Sequence, residues 1–214
     1  MSSRDRILGR VRRALADVPS DDTPYQQAVA RDYVREHGDR SVEQTVDLLA
    51  ENLADYRAIV HRCGAADLAA TIAGMLAARG STSVVVPPGL EPEWLAQTEA
   101  ERIPDRAEST PYELDRVDSV VTACAVAVAE TGTIVLDGSP DQGRRRITLV
   151  PDHHICVVRV PEQVVSSVPQ GLERLDPARP LTWISGPSAT SDIELDRVEG
   201  VHGPRTLEVV LVTD

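Results

Sequence analysis

The chain has 214 residues, of which 34 are acidic and 22 are lysine or arginine, and its net charge is −12 at pH 7. This acidity argues against nucleic acid or an anionic membrane as a partner over most of the surface, and the apolar runs are too short to predict a membrane span. The chain contains no lysine, which excludes a Schiff-base lysine, a P-loop lysine and a lysine general base.

The first predicted elements form an N-terminal helical arm over residues 1–55. They are an amphipathic helix at 4–16, a linker at 18–23, a weakly apolar helix at 25–37 ended by Gly38, and a third helix from Ser41 to Leu53. Ser41 and Gln44 have the spacing of a capping box, which marks the start of the third helix.

Residues 56–214 are predicted to form one α/β domain. The predicted strands cover 58–61, 82–86, 119–122, 133–137, 146–150, 155–160, 181–184 and 207–212. The predicted helices cover 67–79, 94–101 and 162–175, the last bent near Pro169, and 104–114 is predicted as a loop. Early alternation of strands and helices, followed by clustered strands, predicts a mainly parallel sheet flanked by helices, with some antiparallel pairs added later.

Cysteine usage favours a reducing compartment. The three cysteines, Cys63, Cys124 and Cys156, lie far apart in or beside apolar runs, and no CxxC pair is present. This spacing supports neither a zinc ribbon nor an iron–sulfur cluster in this chain. The first helix is polar and no secretory signal precedes it, so we expect a soluble, cytoplasmic protein with buried thiols.

Glu130-Thr131-Gly132-Thr133 is the first candidate functional cluster. A carboxylate beside a glycine, at the end of a run of small residues, lets a ligand approach the backbone closely. The alternative interpretation is a turn between two strands, in which the threonines act as local caps.

A second cluster combines arginines with a turn, at Asp141-Gln142-Gly143-Arg144-Arg145-Arg146. Arginine grips a carboxylate or a phosphate through two parallel hydrogen bonds, which suits a small organic acid. On charge alone, the favoured interpretation of this cluster is a solvated hairpin tip.

Histidines and carboxylates near the C-terminus allow a metal site or an acid–base pair to be considered. The residues concerned are Asp152, His153, His154, Asp192, Glu194 and His202. Adjacent histidines on a strand point to opposite faces, so at most one of His153 and His154 reaches a given site. Since no metal-binding spacing is present either, we predict no metal.

The segment from Ile184 to Pro204 is long, polar and bounded by Gly-Pro turns, which indicates an ordered path at the wall of a site. Its Ser188, Asp192 and His202 supply the residue types of a serine hydrolase, but without a G-x-S-x-G elbow. Alternatively its serines and backbone N–H groups cradle an anion. No GxGxxG dinucleotide fingerprint is present.

Taken in order, these motifs resemble the LUD family of lactate utilization proteins. The matching segments are 129–133, Gly143-Arg144, Pro151 with Ile155, 185–188, 192–194 and 200–204, together with the arginine-rich first helix. The resemblance implies a fold similar to the NagB/RpiA/CoA-transferase group. It also implies a three-protein system that oxidises L-lactate to pyruvate, in which two partner subunits carry the iron–sulfur clusters.

Three hypotheses follow from the motifs and the resemblance. The chain is a subunit of a lactate-oxidising complex that binds a small carboxylate, an electron carrier or its partners; or it is a CoA-transferase-like enzyme that uses Glu130; or it is a non-catalytic assembly protein. The candidate catalytic residues are Glu130 and His202, with Thr131, Gly132, Thr133, Arg144, Ser185, Gly186, Ser188, Asp192 and Glu194 as candidate ligand-binding residues.

Overall fold

The computed structural model describes residues 2–18, 24–30, 34–190, 198–199 and 203–213. Its internal contacts divide the chain into two units, residues 1–34 and residues 35–214.

The first unit contains two helices, α1 (Ser3–Ala14) and α2 (Tyr25–Ala28). Ser2 caps α1 by accepting a hydrogen bond from the backbone N–H of Asp5, and the Asp5 carboxylate accepts one from the Ser2 N–H in return. Helix α1 confirms the first predicted helix, whereas the helix predicted over 25–37 is wrong in length because α2 ends at Ala28. The linker residues 19–23 lie outside the described part of the chain.

The second unit contains the other helices and all the strands. Its α-helices are α3 (Val42–Asp55), α4 (Leu68–Ala78), α5 (Pro111–Leu114) and α6 (Val168–Glu173). Its strands are β1 (Ile59–Gly64), β2 (Ser83–Val86), β3 (Glu101–Pro104), β4 (Ser119–Thr122), β5 (Val126–Val128), β6 (Thr133–Leu136), β7 (His153–Arg159), β8 (Val164–Val165), β9 (Thr182–Ile184), β10 (Ala189–Thr190), β11 (Val198–Glu199) and β12 (Thr206–Thr213).

Six strands form one parallel sheet in the order β1-β12-β7-β4-β2-β3. Successive side chains on a strand point to opposite faces, and β12 shows what each face packs against. Leu207, Val209 and Leu211 join the apolar cluster that contains residues of α3, while Val210 and Val212 join the cluster that contains residues of α4. The mainly parallel sheet flanked by helices is therefore confirmed.

Helix α3 belongs to this second unit. The predicted capping box is present, with Ser41 and Gln44 satisfying each other's backbone N–H groups. Leu49 and Leu53 are fully buried against the parallel sheet. The sequence places this helix in an arm that ends at residue 55, whereas the structure divides the chain after residue 34, because the apolar face of α3 is part of the core.

A second sheet has four strands in the order β8-β5-β6-β9. The pairs β5–β6 and β6–β9 are antiparallel and β5–β8 is parallel. This sheet accounts for the antiparallel pairs expected from the clustered later strands. It brings the start of β6 and the end of β9 together, and with them the candidate residues Thr133 and Ser185.

Several predicted local elements are corrected by the structure. The strand predicted over 146–150 is a 3₁₀ helix at Arg145–Thr148, and the helix predicted over 94–101 is a 3₁₀ turn at Pro92–Leu95. The helix predicted over 162–175 is divided into β8 and α6, and the loop predicted over 104–114 contains α5. Within the described ranges, no helix is both long and apolar enough to cross a membrane.

Candidate functional site

Gly132 and Gly186, from two of the segments that resemble the LUD family, both lie against helix α3 or the residue that ends it. Gly132 has a φ of +54°, and a β-carbon there would lie 2.6 Å from the carbonyl carbon of Asn52. Gly186 has a φ of +80°, and a β-carbon there would lie 2.1 Å from the carbonyl oxygen of Tyr56. Only glycine fits at both positions, so α3 holds the segments around Glu130 and Ser185 in place.

Three hydroxyl groups connect these two segments. Thr131 donates a hydrogen bond to the hydroxyl oxygen of Thr133 over 2.8 Å. The Thr133 hydroxyl is also 2.8 Å from that of Ser185. Three of the predicted ligand-binding residues are thus in one hydrogen-bonded group, and their mutual bonds align β6 with the end of β9.

Glu130 faces the segment that precedes α3. Its carboxylate accepts hydrogen bonds from the His37 backbone N–H over 3.3 Å and from the Arg40 guanidinium over 3.2 Å, and it lies 3.0 Å from His37 Nδ1. Burial opposes ionisation, but the bonds from His37 and Arg40 outweigh it and lower the pKa of the Glu130 carboxyl. Glu130 is therefore a carboxylate at neutral pH, with both oxygens occupied.

Arg144 is held by an aspartate from another part of the chain. The side chain of Asp105 is buried and accepts hydrogen bonds from the Arg144 backbone N–H over 3.1 Å and from Nε over 2.8 Å. The hydrogen bond to Asp105 raises the pKa of Arg144 further above its ordinary value. Since Asp105 already compensates this guanidinium, the pair stabilises the turn that contains Gly143.

Arg145, the next residue, borders a groove between the two sheets, which we call the arginine–serine groove. The groove has a compartment of about 640 Å³ and one of about 210 Å³, and both are lined by Arg145, Thr148 and Thr182. Arg145 is exposed, and within the described residues its guanidinium has no ion-pair partner. This arginine is available to an incoming anion.

The smaller compartment contains the predicted residues of the Gly-Pro segment. Ser185, Gly186 and Ser188 line it opposite Arg145. The backbone N–H of Ser188 donates to the carbonyl oxygen of Pro204 over 2.8 Å, and β10 pairs with β11 just beyond. The two ends of the segment are therefore joined beside the groove, while residues 191–197 and 200–202 between them lie outside the described residues.

His154 lies at the base of the smaller compartment and stays neutral. It is almost fully buried, and its Nε2 lies 2.8 Å from the Thr122 hydroxyl. Burial, with a smaller contribution from the neighbouring His153, lowers the pKa of His154 to about 3. At neutral pH this imidazole is a hydrogen-bonding group and a weak base.

His153 and His154 contact different partners on opposite faces of β7. His153 contacts Ser119 and Glu208 on the face of the sheet that bears α4. In the described part of the chain, no group of three histidine, cysteine or acidic side chains has the geometry to hold a metal ion. Cys124 and Cys156 are buried thiols, and Cys63 is half-buried.

Three predicted site residues, Asp192, Glu194 and His202, lie outside the described residues. The other predicted residues fall into three places: Glu130 at the segment before α3, Arg144 at Asp105, and the serines in the groove. Sequence reasoning considered the run of three arginines but selected Arg144 alone. Asp105, which distinguishes Arg144 from Arg145, is too distant in the sequence for the local pattern to reveal its role.

These features define the class of protein: an α/β protein with a six-stranded parallel sheet, a smaller second sheet and a ligand-sized groove between them. The LUD domain profile matches residues 46–212. The chain belongs to the LUD domain family.

Relatives of known name and structure agree with this assignment. The lactate utilization protein C of Deinococcus radiodurans is 48% identical over 166 residues, which are 76% of each chain. That of Bacillus subtilis is 33% identical over 51% of this chain and 48% of its own length. A crystal structure of a DUF162 family protein from Deinococcus radiodurans superposes with a TM-score of 0.71 and 39% identity, covering 81% of this chain and 99% of the other.

Proposed function

We propose that this chain is a component of a cytoplasmic lactate utilization system and that its arginine–serine groove binds a small carboxylate such as lactate or pyruvate. The similarity to proteins named lactate utilization protein C supports the first part of the proposal. The second part is based on the groove itself, because its lining combines the two arginines Arg144 and Arg145 with hydroxyl groups.

The observation that carries the proposal is the contrast between two adjacent arginines. Both arginines line the groove, but Arg144 is compensated by Asp105, whereas Arg145 has no ion-pair partner among the described residues. A guanidinium presents two parallel N–H groups to a carboxylate, and Ser185 and Ser188 can bond the hydroxyl or keto oxygen next to it. The proposal therefore places Arg145, rather than Arg144, against the ligand.

The partners we propose are two iron–sulfur subunits that carry out the electron transfer. In this chain Cys124 and Cys156 are buried among apolar side chains, and burial together with the neighbouring Cys156 raises the pKa of the Cys124 thiol well above its ordinary value. An iron–sulfur cluster is typically held by four cysteine thiolates, whereas this chain has three cysteines that lie far apart in the sequence. This chain would then contribute ligand binding or assembly, and the electrons would pass through the other subunits.

Isothermal titration calorimetry with lactate and with pyruvate tests the groove. We expect Arg145→Ala to weaken binding by about tenfold or more, because a charge-assisted bond to a carboxylate contributes ~1.5–3 kcal/mol. Arg146→Ala is the matched control, since the Arg146 side chain binds the carbonyl oxygen of Ser109. Equal affinity of the wild-type chain and Arg145→Ala, or no binding of either acid by the wild-type chain, would refute the assignment of the groove.

A second candidate function is acyl transfer at Glu130 by a CoA-transferase-like enzyme. The lowered pKa of Glu130 favours it, because a nucleophilic carboxylate must be ionised. The contacts from His37 and Arg40 oppose it unless these residues move away from the carboxylate. Acyl-CoA turnover by the isolated chain, lost in Glu130→Gln, would establish this function. Copurification with two cysteine-rich proteins, without such turnover, would support the lactate-oxidising complex.

A further inference from the structure

Five side chains form a continuous hydrogen-bonded chain at the amino-terminal edge of the parallel sheet. The Ser81 and Ser119 hydroxyl oxygens are 2.7 Å apart, and Ser119 Oγ is 2.8 Å from His153 Nδ1. His153 Nε2 is 3.1 Å from Glu208 Oε1, and Glu208 Oε2 is 2.6 Å from His61 Nε2. We call this set the serine–histidine relay. None of its members has a role in the proposed function.

The direction of the bonds in the relay follows from the charge of Glu208. Burial opposes ionisation of Glu208, but hydrogen bonds from His153 and His61 outweigh it and lower its pKa. A carboxylate only accepts, so His153 donates from Nε2 and its Nδ1 is left as an acceptor for the Ser119 hydroxyl. The Ser119 oxygen can then accept from Ser81. The Ser81 hydroxyl thus donates to Ser119, and the Ser119 hydroxyl donates to the imidazole of His153, which the Glu208 carboxylate orients.

The end of helix α4 fixes Ser81 at the outer end of the relay. Gly80, with a φ of +67°, ends the helix, and the Gly80 and Ser81 N–H groups donate to the carbonyl oxygens of Ala77 and Leu76. This pattern is a Schellman motif, which holds the residue after the glycine in one position. Ser119 is fully buried while Ser81 is half-buried, so Ser81 is the hydroxyl of the relay that a ligand can reach.

Ser81 and His153 line a polar pocket of about 490 Å³. Two arginines, Arg79 and Arg205, and three aspartates, Asp115, Asp118 and Asp152, are also in its lining. Asp152 is paired with Arg205. Asp118 accepts hydrogen bonds from the backbone N–H groups of Thr82 and Ser83 at the start of β2. The hydrogen bond from Arg205 and, to a smaller extent, the charge of Arg79 lower the pKa of Asp152, so Arg79 supplies positive charge within this pocket.

The geometry points to a second reactive site in this chain, in which Ser81 is a nucleophile toward esters of small acyl groups. In the general signature of such a site, a third group orients a base that is bonded to the nucleophile. Here Glu208 orients His153, and the Ser119 hydroxyl connects this base to Ser81. As Ser81 Oγ bonds to the acyl carbon, its proton passes to Ser119 and the Ser119 proton passes to His153. The protonated imidazole returns a proton along the relay to the departing alkoxide. Water then releases the acid and restores Ser81.

The full-length chain incubated with 4-nitrophenyl acetate tests this inference. We expect release of nitrophenolate above the buffer rate, together with acetylation of the peptide that contains Ser81, found by mass spectrometry. Ser81→Ala should remove both signals, while Ser109→Ala, at another half-buried serine, should keep both. No turnover above buffer, or acetylation at another residue only, would overturn the inference. Lactate binding in the arginine–serine groove is measured separately, so the two proposals fail independently.

Ser119 and His153 are positioning residues, and their variants must show an effect on the chemical step. Because proton transfer by a positioned base contributes about 100-fold or more, Ser119→Ala and His153→Asn should lower kcat by about that factor with KM unchanged. Ser119→Thr, which keeps the hydroxyl, should recover part of the loss. Thermal melting identifies a variant that has not folded. If folded Ser119→Ala keeps the wild-type kcat, the relay has no part in the reaction.

Discussion

At the residue scale, the most consequential contrast is between side chains that the fold has already paired and those that remain open to a ligand. Arg144 and Glu130 carry the charges that the sequence singles out, and both are engaged by residues distant in the chain. Arg145 attracts less notice in the sequence, yet it lines the groove and has no ion-pair partner among the described residues. Pairing across the fold, rather than residue type, decides which side chains can act on a ligand.

The buried His154 should make folding sensitive to mild acid. Its pKa is about 3 in the folded protein, below the ordinary value, so the unfolded chain binds the proton more readily. The stability from this group is complete above the unfolded pKa of ~6.5 and is lost as the pH falls from there toward about 3. Between about pH 7 and about pH 5 the loss is ~2 kcal/mol.

Urea unfolding of the wild-type chain and of His154→Gln at both pH values measures this loss. Glutamine places a hydrogen-bonding group near the Nε2 position, within reach of Thr122, and does not titrate. We expect the wild-type chain to lose about 2 kcal/mol more than the variant over this interval. Equal losses in both proteins would mean that His154 is not buried as a neutral imidazole.

At the element scale, α3 is the helix that both the segment around Gly132 and the segment around Gly186 contact. Its carbonyl groups at Asn52 and Tyr56 lie against Gly132 and Gly186, and Asn52 also donates to the Ala129 carbonyl oxygen over 2.8 Å. The sequence assigns α3 to the N-terminal helical arm, but in the structure this helix contacts the segments that contain Gly132 and Gly186. The spacing of its apolar residues predicts the helix but does not reveal what its carbonyl groups contact.

Gly186→Ala should destabilise the protein strongly. The new β-carbon would lie 2.1 Å from the carbonyl oxygen of Tyr56, a backbone atom with little freedom to move, and φ is +80°. We expect a loss of more than ~2 kcal/mol in urea unfolding. Gly74→Ala is the matched control, because nothing lies within 4 Å of its β-carbon position inside α4. That variant should be unchanged or more stable by up to ~1 kcal/mol, and similar losses in the two variants would contradict the packing of Gly186 on α3.

Sequence pattern predicts the parallel sheet well and the connections between strands poorly. Runs such as Ser119–Thr122 and Thr206–Thr213 are apolar on both faces, which is typical of buried parallel strands. The predicted strand over 146–150 also contains three apolar residues, but the pairing of Arg144 with Asp105 precedes it, and Arg145–Thr148 forms a 3₁₀ helix. A contact between distant residues overrides local propensity there, and no short window of sequence contains it.

At the scale of the whole molecule, the division after residue 34 separates two kinds of chain. Helix α1 has no buried residue, and Ile7, Val11 and Leu15 are exposed on it. From Arg35 onward the chain bonds to the α/β unit: the Ser166 hydroxyl donates to Glu36 over 2.9 Å, and Glu130 holds both His37 and Arg40. The few residues before α3 therefore belong structurally to the unit that contains the candidate site.

Two truncations test this division, and their thermal midpoints should differ. A chain that starts at Arg35 loses α1, whose residues are not buried, so we expect its midpoint to stay within a few degrees of the wild-type value. A chain that starts at Ser41 also loses the partners of Glu130 and Ser166, which leaves a mostly buried carboxylate without its cation. Breaking such a partly buried ion pair costs ~1–3 kcal/mol, or about 2–12 °C for a chain of this size. Glu130→Gln in the chain that starts at Ser41 should recover part of the loss, because a neutral amide tolerates burial better. Equal midpoints for the two truncations would show that residues 35–40 do not stabilise the α/β unit, and that Glu130 does not depend on them.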